Sequence, residues 1–541
     1  MRKREYQPGP PSSETLACTY AFCAGTGRSP SPPAVVGGPH REGRRPKPVM
    51  HGTEKSDPLI VSTKPANNAG PPAAEPVERS GGIEGNAGKR ATVRTQSRAA
   101  VQSAQARIRG AVERNREEKL TALLHHVSLD TLRWAFFVLK KDAAAGVDGV
   151  TWDTYAGDLE ANLQDLHRRV HTGAYRARPS RRVYIPKADG RQRPLGIAAL
   201  EDKIVQHAVV AVLTPIYEAE FLGFSYGFRP GRSQHDALDA LAYGIKAKKI
   251  CWVLDADVSA FFDRISHAWL IRFLEHRIGD KRILRLIQGW LKAGVLDQGR
   301  SEATTEGTPQ GSVISPLLAN IYLHYAHDLW AAQWRRRHAT GDMIVVRYAD
   351  DTVYGFQYYR DGERFLADLH ARLAKFALGL NPDKTRLLEF GKFAAERRAS
   401  RGLGKPETFD FLGFTHICGR KQDGTGFQLV RKTARQPMKA KLRAIKAELR
   451  RHMHADIDEQ GRWLGSVLRG YFAYFAVPTN HQALSAFRHH VIVRWLRWLR
   501  RRSQRGRLTW ARMQAHIDRH LPRTQILHPW PEERFRVKHA R

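Results

Sequence analysis

The sequence predicts an α+β body followed by a basic, all-helical C-terminal region, and three observations predict it. Helix and strand signals alternate from about residue 96 to about residue 430, so neither class alone accounts for the body. Beyond that point the pattern is helical and increasingly rich in Lys and Arg, ending in the Pro-containing tail "ILHPWPEERFRVKHAR". Residues 1–95 are rich in Pro, Gly, Ser and Ala and show little hydrophobic periodicity. A stretch such as "GRSPSPPAVVGGPHREGRRPKP" cannot bury enough apolar surface to offset its ordering entropy, so a disordered basic extension is expected there. The expected divisions are 1–95, 96–420 and 421–541.

Composition narrows the function. With 541 residues, 42% of them hydrophobic, the chain has room for two or three domains with sizeable cores. Lys and Arg number 89 against 53 Asp and Glu, a formal net charge of +36. Such an excess points to a polyanionic partner, nucleic acid first; the alternative is a solvated basic face or tail. Cys18, Cys23, Cys251 and Cys418 are too few and too scattered for a disulfide framework, and they cannot form the two CxxC pairs of a four-cysteine zinc module. The N-terminus lacks the apolar segment of a secretory signal, and no run approaches a membrane span. A soluble, intracellular (cytoplasmic) protein with no membrane partner is expected.

Taken in order, "TQSRAAVQSAQARIRGAVERN" and "SLDTLRWAFFVLKK" read as helices, and "AGVDGVTWDTY" as a Gly-containing turn. "RRVYIPKADGRQRPLGIAA" reads as strand, turn, strand. A two-residue turn at Asp189–Gly190 pairs Lys187 with Gln192 and leaves Arg193 on the opposite face. An odd-length connection such as Ala188–Gln192 puts both cations on one face. In "ICWVLDADVSAFFDRISHAWLIRFLEHRI" a strand, Ile250–Leu254, runs into Asp255 and Asp257, and a helix follows. "TPQGS" supplies Pro309, Gln310 and Gly311 just before a helix signalled by Ser315 as N-cap and Pro316 as N1.

"IVVRYADDTVYGF" fits a β-hairpin, with strands Ile344–Tyr348 and Thr352–Phe356 around a tight connection at Ala349–Asp351. Two adjacent carboxylates, Asp350 and Asp351, then stand at its tip. Like charges held together in an apolar setting are costly unless a cation neutralises them, and hard oxygen ligands of this kind suit Mg²⁺. Near the C-terminus, "HHVIVRWLRWLRRRSQRGRLTWARM" combines an apolar stripe, Val491, Trp495 and Trp498, with Arg494, Arg497, Arg500, Arg501, Arg502, Arg505 and Arg507. The tryptophans read as packing and the arginines as phosphate contacts.

Eight blocks stand in order between about residues 146 and 414: "GVDGV", "IPKADGRQRPLGI", "FSYGFRPGRSQHDAL", "DVSAFFD", "GTPQGSVISPLLANIYLH", "YADD", "LGLNPDKT" and "FDFLGF". Together they resemble the bacterial group II intron-encoded reverse transcriptase/maturase family. The resemblance implies a right-hand polymerase of fingers, palm and α-helical thumb, with "WLGSVLRGYFAYFAVPTN" among the thumb helices. It implies RNA-directed DNA synthesis by two-metal phosphoryl transfer, with Mg²⁺ on Asp257, Asp350, Asp351 and the backbone carbonyl of Val258; Asp255 and Asp263 are left as structural or supporting. By the same resemblance Lys187 and Arg193 bind the incoming triphosphate, which requires the odd hairpin register. Phe262 lies beneath the sugar and crowds a ribose 2′-hydroxyl, while Phe261 faces the core. Pro309, Gln310 and Gly311 meet the templating base and nascent pair, and Lys384 sits near the leaving pyrophosphate. Arg229 and Arg232 stand on the "FRPGRS" turn, where they either meet the template backbone or hold the turn itself, and by the resemblance "FLGF" supports the primer end.

The implied partners are intron RNA, a DNA target or primer, and deoxynucleoside triphosphates; the oligomeric state is not legible. The implied role is to bind the intron RNA, assist its splicing, and copy it at a DNA target. Two alternatives stay open: a non-enzymatic RNA-binding splicing cofactor, and a reverse transcriptase recruited to another retroelement or to host defence. The cysteines of the zinc-associated HNH endonuclease found in the longest family members are missing, so second-strand cleavage is not expected.

Overall fold

A computed structural model describes residues 87–186, 192–297, 300–302, 306–308, 311–421, 423–502 and 508–538. The expected extension lies outside the described residues as far as 86; its last residues are helical, because a helix runs from Ala87 to Arg114. Eleven strands follow among the described residues: β1 Ser180–Pro186, β2 Gln192–Ile197, β3 Trp252–Asp257, β4 Val295–Asp297, β5 Arg300–Glu302, β6 Met343–Tyr348, β7 Asp351–Phe356, β8 Arg386–Glu389, β9 Phe409–Phe411, β10 Phe414–Arg420 and β11 Phe427–Thr433. They form three sheets, ordered β2-β1-β4-β5, β6-β7-β3-β8 and β11-β10-β9. With helices around and after them, the chain is a mixed α+β structure.

The central sheet, β6-β7-β3-β8, is antiparallel throughout. Side chains alternate between its faces, so both faces need cover. Met343, Val345, Leu254, Ala256, Tyr354 and Phe356 enter one core with Phe365, Leu369 and Leu373 of the helix Tyr359–Ala374. Ile344, Val346, Val253 and Val353 enter the other with Ala237, Leu238 and Leu241 of the helix Gln234–Ala247. That helix is held at its start by a capping box, in which Ser233 and Asp236 each bond the other's backbone N–H.

The second core also takes Phe409, Phe411, Phe414 and Leu429 from the sheet β9-β10-β11, so the expected division at 420/421 falls inside a hairpin. From Arg435 the chain is helical. Helices Arg435–Arg451, Ile457–Phe475, His481–Arg500 and Trp510–His520 close around Trp495, which is fully buried and donates its indole N–H to Gln460 Oε1 at 3.0 Å. Among the described residues no helix is long and apolar enough to cross a membrane.

One cap differs from expectation. The helix Ser315–Leu323 begins at Ser315 itself, with Ile314 at the N-cap and no side-chain cap. The entering chain is fixed instead by Gln206, whose Oε1 accepts from Ser312 Oγ at 2.8 Å and Val313 N at 3.1 Å.

Candidate active site

The carboxylates meet at one end of the central sheet. β6 and β7 pair Tyr348 with Asp351, so the connection is the two residues Ala349 and Asp350, and β7 begins one residue earlier than expected. β3 runs alongside with Asp257 opposite Asp351. Asp255, two residues back on β3, shares the face of Asp257 and Asp351 and stands opposite Arg386 of β8. The turn is strained: Ala349 has φ +57°, a region that favours glycine.

A buried polar network holds that strained turn, and sequence reasoning passed over it. Arg347, on β6, is 0% exposed. Its Nε and Nη2 donate to the two carboxylate oxygens of Asp328 at 2.7 and 2.6 Å. Nη1 donates to Ala349 O at 2.8 Å and Asn320 Oδ1 at 3.1 Å, and Nη2 also reaches Ser225 Oγ at 2.7 Å. Asn320 in turn donates to Gly227 O at 2.7 Å. Gly227 must be glycine, because a Cβ there would lie 2.3 Å from Ala349 N. Asp328 reaches Arg347 from a single π-helical turn, His324–Asp328, within a longer helix. His327 extends the chain of bonds from Asp328 Oδ1 (2.8 Å) to Tyr354 OH (2.6 Å). The turn is therefore fixed from beneath by a guanidinium with fully formed partners.

Other expected site residues arrive on three segments. Asn381 N donates to Asp257 O at 2.8 Å, fastening the "LGLNPDKT" loop to the end of β3. This brings Lys384 Nζ to 2.9 Å from Asp257 Oδ2. β1 and β2 pair Ile185 with Arg193 and Pro186 with Gln192, an odd-length register. Arg193 is exposed and its charge acts on Asp350. Phe261 is 3% exposed within the core, while Phe262 is half-buried at its edge, with its carbonyl accepting from Thr308 N at 2.8 Å. Gly311 has φ +106°, and the close approach that excludes a side chain there is to Gly196 O of β2, 2.9 Å from where a Cβ would be. Lys187, Pro309 and Gln310 lie outside the described residues, as do Arg505 and Arg507.

Two arginine assignments change. Arg229 is 5% exposed; it forms a bidentate pair with Glu218 (3.0 and 2.9 Å) and its Nη1 donates to Leu222 O and Ser225 O. Every guanidinium nitrogen is engaged inside the protein, so Arg229 is structural and not a template contact. Arg232 lies over the Tyr226 ring and donates to Gly223 O, and burial lowers its pKa to about 10; it too is a packing residue. In the basic helix and just after it, Arg494, Arg497, Arg500 and Arg501 all keep solvent contact; Arg500 Nε also donates to Leu508 O, and Arg502 Nε donates to Met453 O. These two tie the bundle's loops together.

The electrostatics are those of a cluster of mutually repelling carboxylates. Desolvation, then Asp350 and Asp257, push the Asp351 carboxyl up to about 6. Asp351 keeps solvent contact at the strand end. Asp350 is raised by desolvation and by Asp257, and Asp255 is pushed up to about 7 by desolvation with Asp351 and Asp257 adding to it. Three carboxylates are hard oxygen donors, and their chemistry fits a divalent cation. Their spacing is looser than that of a closed ligand shell. Among the described residues only Asp458, His516 and His520 bring three such side-chain ligand atoms within 4.8 Å of one another.

A pH dependence follows with a definite sign. The native state holds protons on these carboxyls that the unfolded chain has released between the ordinary carboxylate value and the raised ones, so the cluster's own contribution to cation-free stability falls as pH rises from about 4 to about 7, opposed by buried histidines such as His416 whose pKa burial lowers. Measured in EDTA against Asp351→Asn, the parent should lose a few degrees of melting temperature between pH 5 and pH 7.5, and Mg²⁺ should raise the parent's melting temperature more at pH 7.5. Asp351→Asn should flatten both effects; an unchanged dependence in that variant would remove the carboxylate cluster as their source.

Residues 185–416, which contain all of these carboxylates, match the family model described as reverse transcriptase (RNA-dependent DNA polymerase). The chain is similar to Protein YkfC of Escherichia coli (strain K12), 41% identical over 199 residues that cover 36% of this chain and 52% of that protein. It is similar to the group II intron-encoded protein LtrA of Lactococcus lactis subsp. cremoris, 36% identical over 214 residues covering 39% and 35%. An uncharacterized 91 kDa protein in the cob intron of Schizosaccharomyces pombe is 40% identical over 190 residues, covering 35% and 23%. The chain spans about half or less of the length of these relatives. It carries a reverse transcriptase domain related to those of group II intron-encoded proteins.

Proposed function

We propose that the chain is an RNA-directed DNA polymerase encoded by a group II intron, which binds its intron RNA, assists splicing, and copies the intron at a DNA target. The observation that carries this reading is the meeting of Asp257, Asp350 and Asp351 at one end of the central sheet, inside a reverse transcriptase domain, with Lys384 on Asp257 and Arg193 acting on Asp350. In this reading the central sheet is the palm, the sheet β2-β1-β4-β5 belongs to the fingers, and the helices from Arg435 are the thumb.

Asp257, Asp350, Asp351 and the Val258 carbonyl would hold Mg²⁺, which when bound lowers the pKa of a primer 3′-hydroxyl and stabilises charge on the leaving oxygen. The chain's own residues do the rest. Arg193, with Lys187, clamps the triphosphate. Lys384 Nζ holds a proton at the site's edge, close to where pyrophosphate departs. Pro309, Gln310 and Gly311 support the templating pair. Arg494, Arg497, Arg500, Arg501 and Arg505 contact RNA phosphates without reading sequence.

The direct test is incubation of the purified chain with a DNA primer annealed to an RNA template, deoxynucleotides and Mg²⁺. Template-dependent extension that EDTA stops is expected. Tight RNA binding with no extension would replace this reading with that of a non-enzymatic splicing cofactor. Sugar choice gives a second handle. Phe262→Ala removes the half-buried ring and should raise ribonucleotide use relative to the deoxynucleotide by about tenfold, the effect of relieving a clash of about 1.4 kcal/mol. An unchanged efficiency ratio in an active variant would make Phe262 a packing residue.

A further inference from the structure

The tightest group of metal-ligating side chains among the described residues lies in the C-terminal bundle, away from the carboxylate cluster. Asp456 caps the helix Ile457–Phe475, its Oδ2 accepting from Asp458 N (2.8 Å) and Glu459 N (3.2 Å). Asp458 thus stands in the first turn. On the facing helix Trp510–His520, His516 and His520 are four residues apart and share one face. His520 Nε2 is 2.8 Å from Asp458 Oδ1, and His516 Nδ1 is 3.8 Å from the same oxygen.

Two features of the surroundings suit a bound ion. Arg519 Nη1 lies 3.3 Å from Asp458 Oδ2, orienting the carboxylate with Oδ1 turned to the histidines. The approach of His520 depends on glycine: a Cβ at Gly461 would lie 2.5 Å from His520 Cδ2, and one at Gly465 would lie 2.4 Å from His520 O. An interior helical glycine gives up about 1 kcal/mol relative to alanine, so at Gly461 the sequence bears a penalty that seats this imidazole, and at Gly465 one that lets the helix end approach.

We propose that Asp458, His516 and His520 form a binding site for a divalent transition-metal ion of the Zn²⁺ class, which staples the helix Trp510–His520 to the helix Ile457–Phe475. Two imidazoles and one carboxylate are the donor chemistry of Zn²⁺ and its first-row neighbours and a poor match for Mg²⁺. Bonds of about 2.0–2.1 Å in a tetrahedron place ligand atoms about 3.3 Å apart, between the two separations seen here. Binding replaces the shared His520–Asp458 hydrogen bond with two metal bonds and leaves a fourth position for water. The ion can enter from solvent, since Asp458 and His516 side chains are 38% and 30% exposed, while His520, at 8%, anchors the site. The absence of clustered cysteines does not bear on it. Nor does the inference rest on the polymerase reading.

The test uses full-length, tag-free protein stripped with EDTA and dialysed into excess Mg²⁺, which keeps the carboxylate cluster occupied. Co²⁺ is titrated in and followed by the visible d–d bands of a tetrahedral ion; Zn²⁺ then competes, and melting curves are recorded with each. One equivalent with tetrahedral bands, displaced by Zn²⁺, is expected, together with a rise in melting temperature. His516→Ala, at a partly exposed position, should fold and bind about 10- to 100-fold more weakly, and Asp458→Asn should do the same. Equal titrations of parent and His516→Ala, or no tetrahedral bands in the parent, would overturn the proposal and leave the trio as an ion-pair cluster.

Discussion

Asp350→Ala should lower templated primer extension by about 10³-fold or more, as loss of a preorganised charge-stabilising group does. Nucleic-acid affinity should stay within about twofold of the parent, because it comes from Lys and Arg contacts to phosphates. The melting temperature should not fall. Asp350 sits on a two-residue turn and packs no core, and its carboxyl is already disfavoured as an anion by desolvation and by Asp257. Removing it relieves repulsion in the cation-free protein. Extension rates, filter binding and melting of one variant together decide the matter. Full-length product from Asp350→Ala would discard the metal-ligand assignment. Lost activity with a collapsed melting curve would show instead that the turn depends on this side chain for its fold.

What was legible in the sequence is what local pattern encodes. The hairpin around Asp350 and Asp351 could be read because apolar runs of β-prone residues flank the charges on both sides. Strand β3 could be read from its apolar run, which predicts Ile250–Leu254, whereas the strand spans Trp252–Asp257, so Asp255 and Asp257 lie on the strand itself. The partners of the buried charges could not be read. Arg229 looked like a nucleic-acid contact because an arginine on a Pro–Gly turn is normally solvated; only the fold carries Glu218, eleven residues earlier, onto it. Arg347 lies in an apolar strand, and its counter-charge, Asp328, comes from a π-helical turn that no local periodicity announces. The same holds for His516 and His520: their helical spacing is visible, but Asp458 stands about sixty residues away and meets them only through bundle packing.

Arg347 carries the other large expected effect. Arg347→Met leaves the Asp328 carboxylate fully buried without its guanidinium, and breaking such a pair destabilises by about 3–5 kcal/mol. Burial alone would push the Asp328 carboxyl up; Arg347 and His327 more than offset this and hold it well below the usual carboxylate range. Its contribution to stability is therefore present above the ordinary carboxylate pKa and is lost as pH falls below about 4. Chemical denaturation at pH 7 should show the full loss in Arg347→Met. A double variant, Arg347→Met with Asp328→Leu, removes both charges and should recover part of the stability, the part due to the unpaired buried carboxylate, while Ala349 O, Asn320, Ser225 and His327 Nδ1 still lack their partners. It does not restore the donors to Ala349 O, Asn320 and Ser225, so the strained turn that presents Asp350 loses its support. A displacement of about 1 Å at a reacting centre is worth about 10² in rate, and kcat for extension should fall by that order in the double variant with little change in RNA affinity. Recovery of stability and rate together would mean that Arg347 serves the core alone; recovery of stability without rate identifies it as the residue that positions the catalytic turn.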